Sequence, residues 1–129
     1  MGGGISRYTV DDKWIVPHFE KMLYDNILFV RLLNFYVENT KDKYFRSKLV
    51  QSINFINQEF NNKDNLLGSA YDADSEGVEG KYYVWKHQDL KNLLKDKFEL
   101  FNKKYEISEA GNFEGSNILI EKSDYIILS

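Results

Sequence analysis

The sequence predicts a mainly α-helical chain with short β-hairpins between its helices, and three observations carry that prediction. Two long runs free of glycine and proline, Phe19 to Glu38 and Asp42 to Phe60, repeat apolar residues at helical spacing. A third run, from about Gln88 to Lys103, places Leu90, Leu93, Leu94, Phe98 and Phe101 in the same rhythm. Between the second and third lie short apolar stretches bounded by glycine, asparagine and acidic residues, the mark of turns and hairpins.

The first helix is expected to begin at Pro17, the only proline, because a proline in the first turn leaves no amide unpaired. Phe19, Met22, Leu23, Ile27, Leu28, Phe29, Val30, Leu32, Leu33, Phe35, Tyr36 and Val37 cover almost its whole circumference, as in a helix surrounded by protein. After Asn39, Thr40 and Lys41, the second helix carries Phe45, Leu49, Ile53, Ile56 and Phe60 on one side and Lys48, Gln51, Asn54 and Gln58 on the other. An inner helix followed by a one-sided outer helix predicts an αα-hairpin. The polar run 61–65 breaks the pattern. Leu66 to Tyr71 and Lys81 to Trp85 then read as the arms of a β-hairpin with a long acidic loop. The third helical region is expected to bend near Asp96. Gly111, Asn112, Gly115 and Asn117 form a turn before the strand-like Ile118-Leu119-Ile120. The tail Tyr125-Ile126-Ile127-Leu128-Ser129 is apolar with no stop signal, so the chain reads as a piece of something larger.

Composition limits the function. Hydrophobic residues at 43% and charged residues at 29% of 129 exclude a disordered chain. A net charge of -3 without a basic block argues against nucleic acid and anionic membranes as partners. The absence of cysteine removes disulfides, thiolate metal sites and thiol redox chemistry. No apolar run approaches the roughly 20 residues that span a bilayer, and no signal peptide opens the chain, so a soluble cytoplasmic protein is expected. Met1-Gly2-Gly3-Gly4-Ile5-Ser6 fits the bare myristoylation pattern, but a glycine run also serves as a flexible or tight-turning entry.

Two constellations could carry chemistry. His18, Lys21 and Asp25, with Tyr24 beside them, would share one face of the first helix and could do general acid–base work. The plainer reading is a Lys21–Asp25 ion pair with His18 satisfied at the helix start. The second is Asp72-Ala73-Asp74-Ser75-Glu76-Gly77-Val78-Glu79-Gly80, four carboxylates in one loop. Clustered carboxylates raise one another's pKa or bind a cation. An EF-hand loop, however, needs a glutamate at its twelfth position, where Tyr83 stands, so no metal is expected there. A solvated acidic turn is the plainer alternative. Tyr71, Tyr82, Tyr83 and Trp85 flank the loop, and rings beside carboxylates suit either a sugar-binding cleft or an ordinary half-buried strand pair.

Three longer blocks resemble one family. Gly2-Gly3-Gly4-Ile5 leads into Arg7-Tyr8-Thr9-Val10-Asp11 and Trp14-Ile15-Val16-Pro17-His18-Phe19-Glu20-Lys21-Met22-Leu23-Tyr24-Asp25-Asn26. The second block is Ser69 to Trp85 and the third Gly111 to Leu119. Together they resemble the spermatogenesis-associated protein 20 family. The resemblance implies a partial (α/α)6 six-hairpin toroid over residues 1–129, similar to those of glycosidases and sugar epimerases, without the family's thioredoxin-like domain. The residues after about Glu121 look unlike the family, as in a truncated reading frame. It further implies a carbohydrate-active type of cavity, with Asp72, Asp74, Glu76, His18 and Asp25 as catalytic candidates and Tyr24, Tyr71, Tyr83 and Trp85 as candidates for substrate contact. No cofactor is expected. The partners expected are a carbohydrate ligand and the remainder of the toroid, encoded elsewhere, and the chain is not expected to be active alone. The alternative is a non-enzymatic scaffold or a degenerate remnant.

Overall fold

The computed structural model describes residues 3–61, 64 and 66–122. The apolar tail at 125–129, Gly2 of the myristoylation pattern and Asn62, Lys63 and Asn65 of the polar break lie outside the described residues. Within them the chain is mainly helical, with antiparallel pairs of two-residue strands joining its parts.

The first helix starts later than Pro17. Thr9 and Pro17 form an antiparallel bridge, with His18 N–H donating to Tyr8 O (2.9 Å) and Arg7 N–H to Glu20 O (3.2 Å), so residues 6–20 form an extended excursion. Strand β1 (Lys21–Met22) then pairs with β2 (Ala70–Tyr71), Lys21 opposite Tyr71. Only then does α1 (Leu23–Thr40) begin. Pairing across long sequence distances has overridden the local helix signal, and Pro17, with no amide hydrogen, is tolerated at such a ladder's edge.

Helix α1 closes on Lys41, whose left-handed backbone (φ 59°) turns its N–H back to Val37 O at 2.9 Å. One residue later Asp42 caps α2 (Lys43–Phe55), accepting from the amides of Tyr44 (2.8 Å) and Phe45 (3.1 Å). The two helices form the expected αα-hairpin, with Tyr36 edge-on to Phe45 at 4.7 Å. A π-turn, Ile56–Phe60, extends α2 and buries Phe60. The apolar girdle of α1 is covered on one side only: Leu33 is buried, while Leu28, Leu32 and Phe35 remain 56%, 63% and 67% exposed. Apolar pattern sets what can be buried; among the described residues α2 is the one helix that packs extensively on α1.

Two buried asparagines fasten the irregular segments. Asn26, fully buried on α1, accepts from Ile5 N–H (2.8 Å) and donates to Ile5 O (3.1 Å) and Met22 O (2.8 Å). Asn117 treats Ser108 likewise, accepting from its N–H (2.9 Å) and donating to its carbonyl (3.0 Å). Each carboxamide mimics a strand edge, holding a segment that no strand or helix would hold. Gly4 lies against α2: with φ +72°, a Cβ there would come within 2.3 Å of the Phe55 ring. Gly3 and Gly4 thus form a close-packed entry.

Leu66–Tyr71 and Lys81–Trp85 do not pair with each other. The acidic segment makes its own hairpin, β3 (Asp74–Ser75) against β4 (Val78–Glu79), across Glu76 (φ 55°) and Gly77 (φ 74°). Two successive positive φ values in a two-residue connection match the twist of paired strands. Strand β5 (Val84–Trp85) instead pairs with β7 (Asn117–Ile118). Helices α3 (His87–Leu94) and α4 (Phe98–Lys104) are separated by a 3-10 turn, Lys95–Lys97, the expected bend at Asp96. Strands β6 (Tyr105–Glu106) and β8 (Ile120–Glu121) form the last pair.

Candidate functional site

Because residues 17–22 are extended, successive side chains leave in opposite directions. Phe19 stacks on Tyr83 (5.6 Å between centroids, 12° between planes) and meets Phe113 edge-on at 5.4 Å. Lys21 follows it to the same side, its Nζ 4.5 Å from the Phe55 centroid and 5.3 Å from that of Tyr83. His18 and Glu20 go the other way: His18 stacks on Tyr8 at 4.8 Å, and Glu20 Oε2 accepts from Arg7 Nη1 at 3.0 Å.

The Phe19 and Lys21 side faces a cleft of about 1190 Å3. Its wall includes Tyr71, Asp72, Asp74, Tyr82, Tyr83, Trp85, Lys81, Asp89, Phe55 and Glu59. Tyr71 OH donates to Glu59 O at 2.6 Å and lies 3.2 Å from Glu59 Oε2, while its ring meets Phe60 edge-on. Burial pushes the phenols of Tyr71 and Tyr83 above their ordinary value. Among the described residues the buried Trp85 indole Nε1 has no hydrogen-bond partner.

Of the residues proposed from sequence, Tyr71, Asp72, Asp74, Tyr83 and Trp85 therefore meet in one cleft. Asp72 Oδ1 also accepts from the Asp74 amide at 3.1 Å, which fixes the entry to the hairpin. Glu76 sits at the hairpin tip, paired with Lys81, whose ammonium holds its carboxyl below the usual range. His18, Tyr24 and Asp25 form a separate group around Arg7, which donates to Tyr24 OH at 3.0 Å. Arg7 Nε is 3.8 Å from Asp25 Oδ2, too far for a hydrogen bond, so among the described residues that buried oxygen, like the buried Nδ1 of His18, has no hydrogen-bond partner. The Lys21–Asp25 ion pair is absent: strand pairing turns Lys21 to the cleft, and Arg7 is the cation beside Asp25. Among the described residues, no three of His, Asp and Glu converge to hold a metal ion.

Sequence reasoning missed Glu59 and the inward turn of Lys21. Glu59 lies in the π-turn, which nothing in local spacing announces. Lys21 had a legible signal in the alternation of Phe19 and Lys21 against His18 and Glu20, which the helical reading of residues 17–38 masked.

The chain is 30% identical over 132 aligned positions to human spermatogenesis-associated protein 20, covering 90% of this chain and 17% of that protein. Over that stretch the chain is similar to spermatogenesis-associated protein 20. The mouse protein gives 29% identity with the same coverage, and an uncharacterised protein of Caenorhabditis elegans gives 30% identity over 91% of this chain and 18% of its own length. The resemblance read from the three sequence blocks is thereby borne out. The chain spans less than a fifth of the length of these curated relatives. No family model matches it. No helix among the described residues is long and apolar enough to cross a membrane.

Proposed function

We propose that the cleft between β1, β2 and β5 binds a carbohydrate-type ligand, and that residues 1–129 form part of an (α/α)6 six-hairpin toroid whose remaining hairpins complete it. The observation that carries this reading is the wall itself: Tyr71, Tyr82, Tyr83 and Trp85 beside Asp72 and Asp74. Apolar sugar faces stack on rings while hydroxyls donate to carboxylates, so such a wall meets both demands of a sugar. A volume of about 1190 Å3 accommodates one or two sugar rings. Asp72 and Asp74 are the acid–base candidates within the cleft. His18 and Asp25 serve the reading as a supporting cluster apart from the cleft, beside Glu20 and Arg7. The one-sided cover of α1 supports the toroid, since Leu28, Leu32 and Phe35 call for further helices.

The test is a calorimetric titration of neutral mono- and disaccharides into the full chain and into a full-length relative. Saturable heat that disappears in the Asp72→Asn, Asp74→Asn double variant, with folding retained, supports the reading. No heat with either protein refutes it.

A second reading is favoured by a different observation. Between α1 and α2 a hollow of about 400 Å3 is lined by Val30, Phe35, Leu49 and Ile53, with Arg31 and Glu38 at its rim. An apolar groove with charged edges suits a protein partner, and a non-enzymatic interaction module would use it. In that case Phe35→Glu abolishes partner capture, whereas the Asp72 and Asp74 substitutions do not.

A further inference from the structure

Lys21 differs in its surroundings from the other lysines among the described residues. Its side chain is 8% exposed, lines the cleft, and lies between the rings of Phe55 and Tyr83. Among the described residues its one hydrogen bond is a long one, to Gly3 O at 3.4 Å. No carboxylate forms an ion pair with it there; Glu59 acts on it electrostatically from across the cleft wall. By contrast, Lys81 and Lys104 are half-exposed and paired with Glu76 and Glu121.

We propose that Lys21 is a nucleophile that forms an imine with the carbonyl carbon of an aldehyde or ketone admitted to this cleft, such as the open-chain form of a reducing sugar. The proposal rests on the reading of the cleft as a ligand site and names the reactive group its ligand would carry. A lysine becomes nucleophilic when an apolar enclosure favours its neutral form. That is the environment of Lys21, and burial lowers its pKa below the ordinary 10.5 while Glu59 opposes the shift.

The step balances without an oxidant or reductant. The Nζ lone pair adds to the carbonyl carbon, a C–N bond forms, and the C–O π pair moves to oxygen. Nitrogen then loses its two protons in turn, the oxygen gains two and leaves as water, and the C=N bond closes. Glu59, which lines the same cleft and acts on Lys21 electrostatically from beyond ion-pair distance, is the carboxylate assigned to move those protons through water.

The experiment uses the full chain with D-glyceraldehyde and sodium cyanoborohydride, which reduces an imine to a stable amine, followed by peptide mass mapping. Burial favours the free base of Lys21 at neutral pH, so Lys21 should be modified faster than the exposed Lys13 and Lys43. The adduct should vanish from this position in Lys21→Arg. Modification of Lys21 no faster than Lys13 overturns the proposal, whatever sugars bind. Excess methyl glucoside, which has no free carbonyl, separates the two ideas. If it slows the modification, both the nucleophile and the sugar cleft are supported. If Lys21 reacts rapidly and the glucoside has no effect, the nucleophile stands and the sugar reading falls.

Discussion

Replacing Asn26 by alanine should detach the N-terminal segment from α1, and the size of the effect follows from the contacts. Asn26 has no exposed surface and makes three side-chain hydrogen bonds, two to Ile5 and one to Met22. Alanine leaves the Ile5 N–H and C=O without their partner, in a half-buried position where water replaces the amide only in part. At about 1 kcal/mol for each hydrogen bond, the substitution should cost about 3 kcal/mol, a large share of a small domain's stability. Asn26→Asp should be at least as damaging near neutral pH. It keeps the acceptor for Ile5 N–H but turns a donor toward two carbonyls into a buried carboxylate. Urea unfolding of the full chain, followed by tryptophan fluorescence, measures the energy. Hydrogen exchange at the Ile5 amide locates it. A loss below about 0.5 kcal/mol, within the range of ordinary surface substitutions, with Ile5 protection unchanged, would refute the claim that one carboxamide holds this segment.

Two further outcomes follow from titrating groups. Lys21 has a folded-state pKa below its unfolded value, so the unfolded chain holds more protons between the lowered value and 10.5, and stability should rise with pH across that window. Lys21→Met should flatten this rise, and equal slopes in urea titrations of the two proteins would contradict the burial argument; the raised phenols of Tyr71 and Tyr83 act oppositely at higher pH in both. Asp11 is held below its ordinary 3.8 chiefly by the Val16 amide (2.7 Å), then by Thr9 Oγ1 and the Ile15 amide. Its stabilisation of the 11–16 turn should be complete above pH 3.8 and fall away as pH drops through the lowered value. Asp11→Ala should speed exchange at Ile15 and Val16 at pH 6, and unchanged rates would exclude the carboxylate as the organiser of that turn.

The helices were legible where spacing and caps coincide. Asp42 before an apolar-periodic run, with an αα-hairpin around it, needed only neighbours within a few residues, and the bend at Asp96 was equally local. The start of α1 was not, because residues 17–22 fit a helix by composition and a strand by partners. The partners, Tyr8 and Arg7 on one side and Ala70 and Tyr71 on the other, come from distant chain. The pairing of β5 with β7 rather than with the Leu66–Tyr71 stretch was hidden for the same reason: strand choice depends on contacts across more than thirty residues.

The aromatic and acidic residues around 71–85 could be named as candidates from sequence because residue type and clustering are local properties. Their meeting in one cleft with Lys21 and Glu59, while His18 turns away, was decided by the extended backbone leading into β1, which sends alternate side chains to opposite sides; Asp25, in the first turn of α1, lies beside Arg7. The sequence by itself therefore determined the mainly helical character, the αα-hairpin, the kinship with spermatogenesis-associated protein 20 and the list of reactive groups. Only the tertiary structure decided which of those groups share a wall, because that depends on pairings whose partners lie tens of residues away.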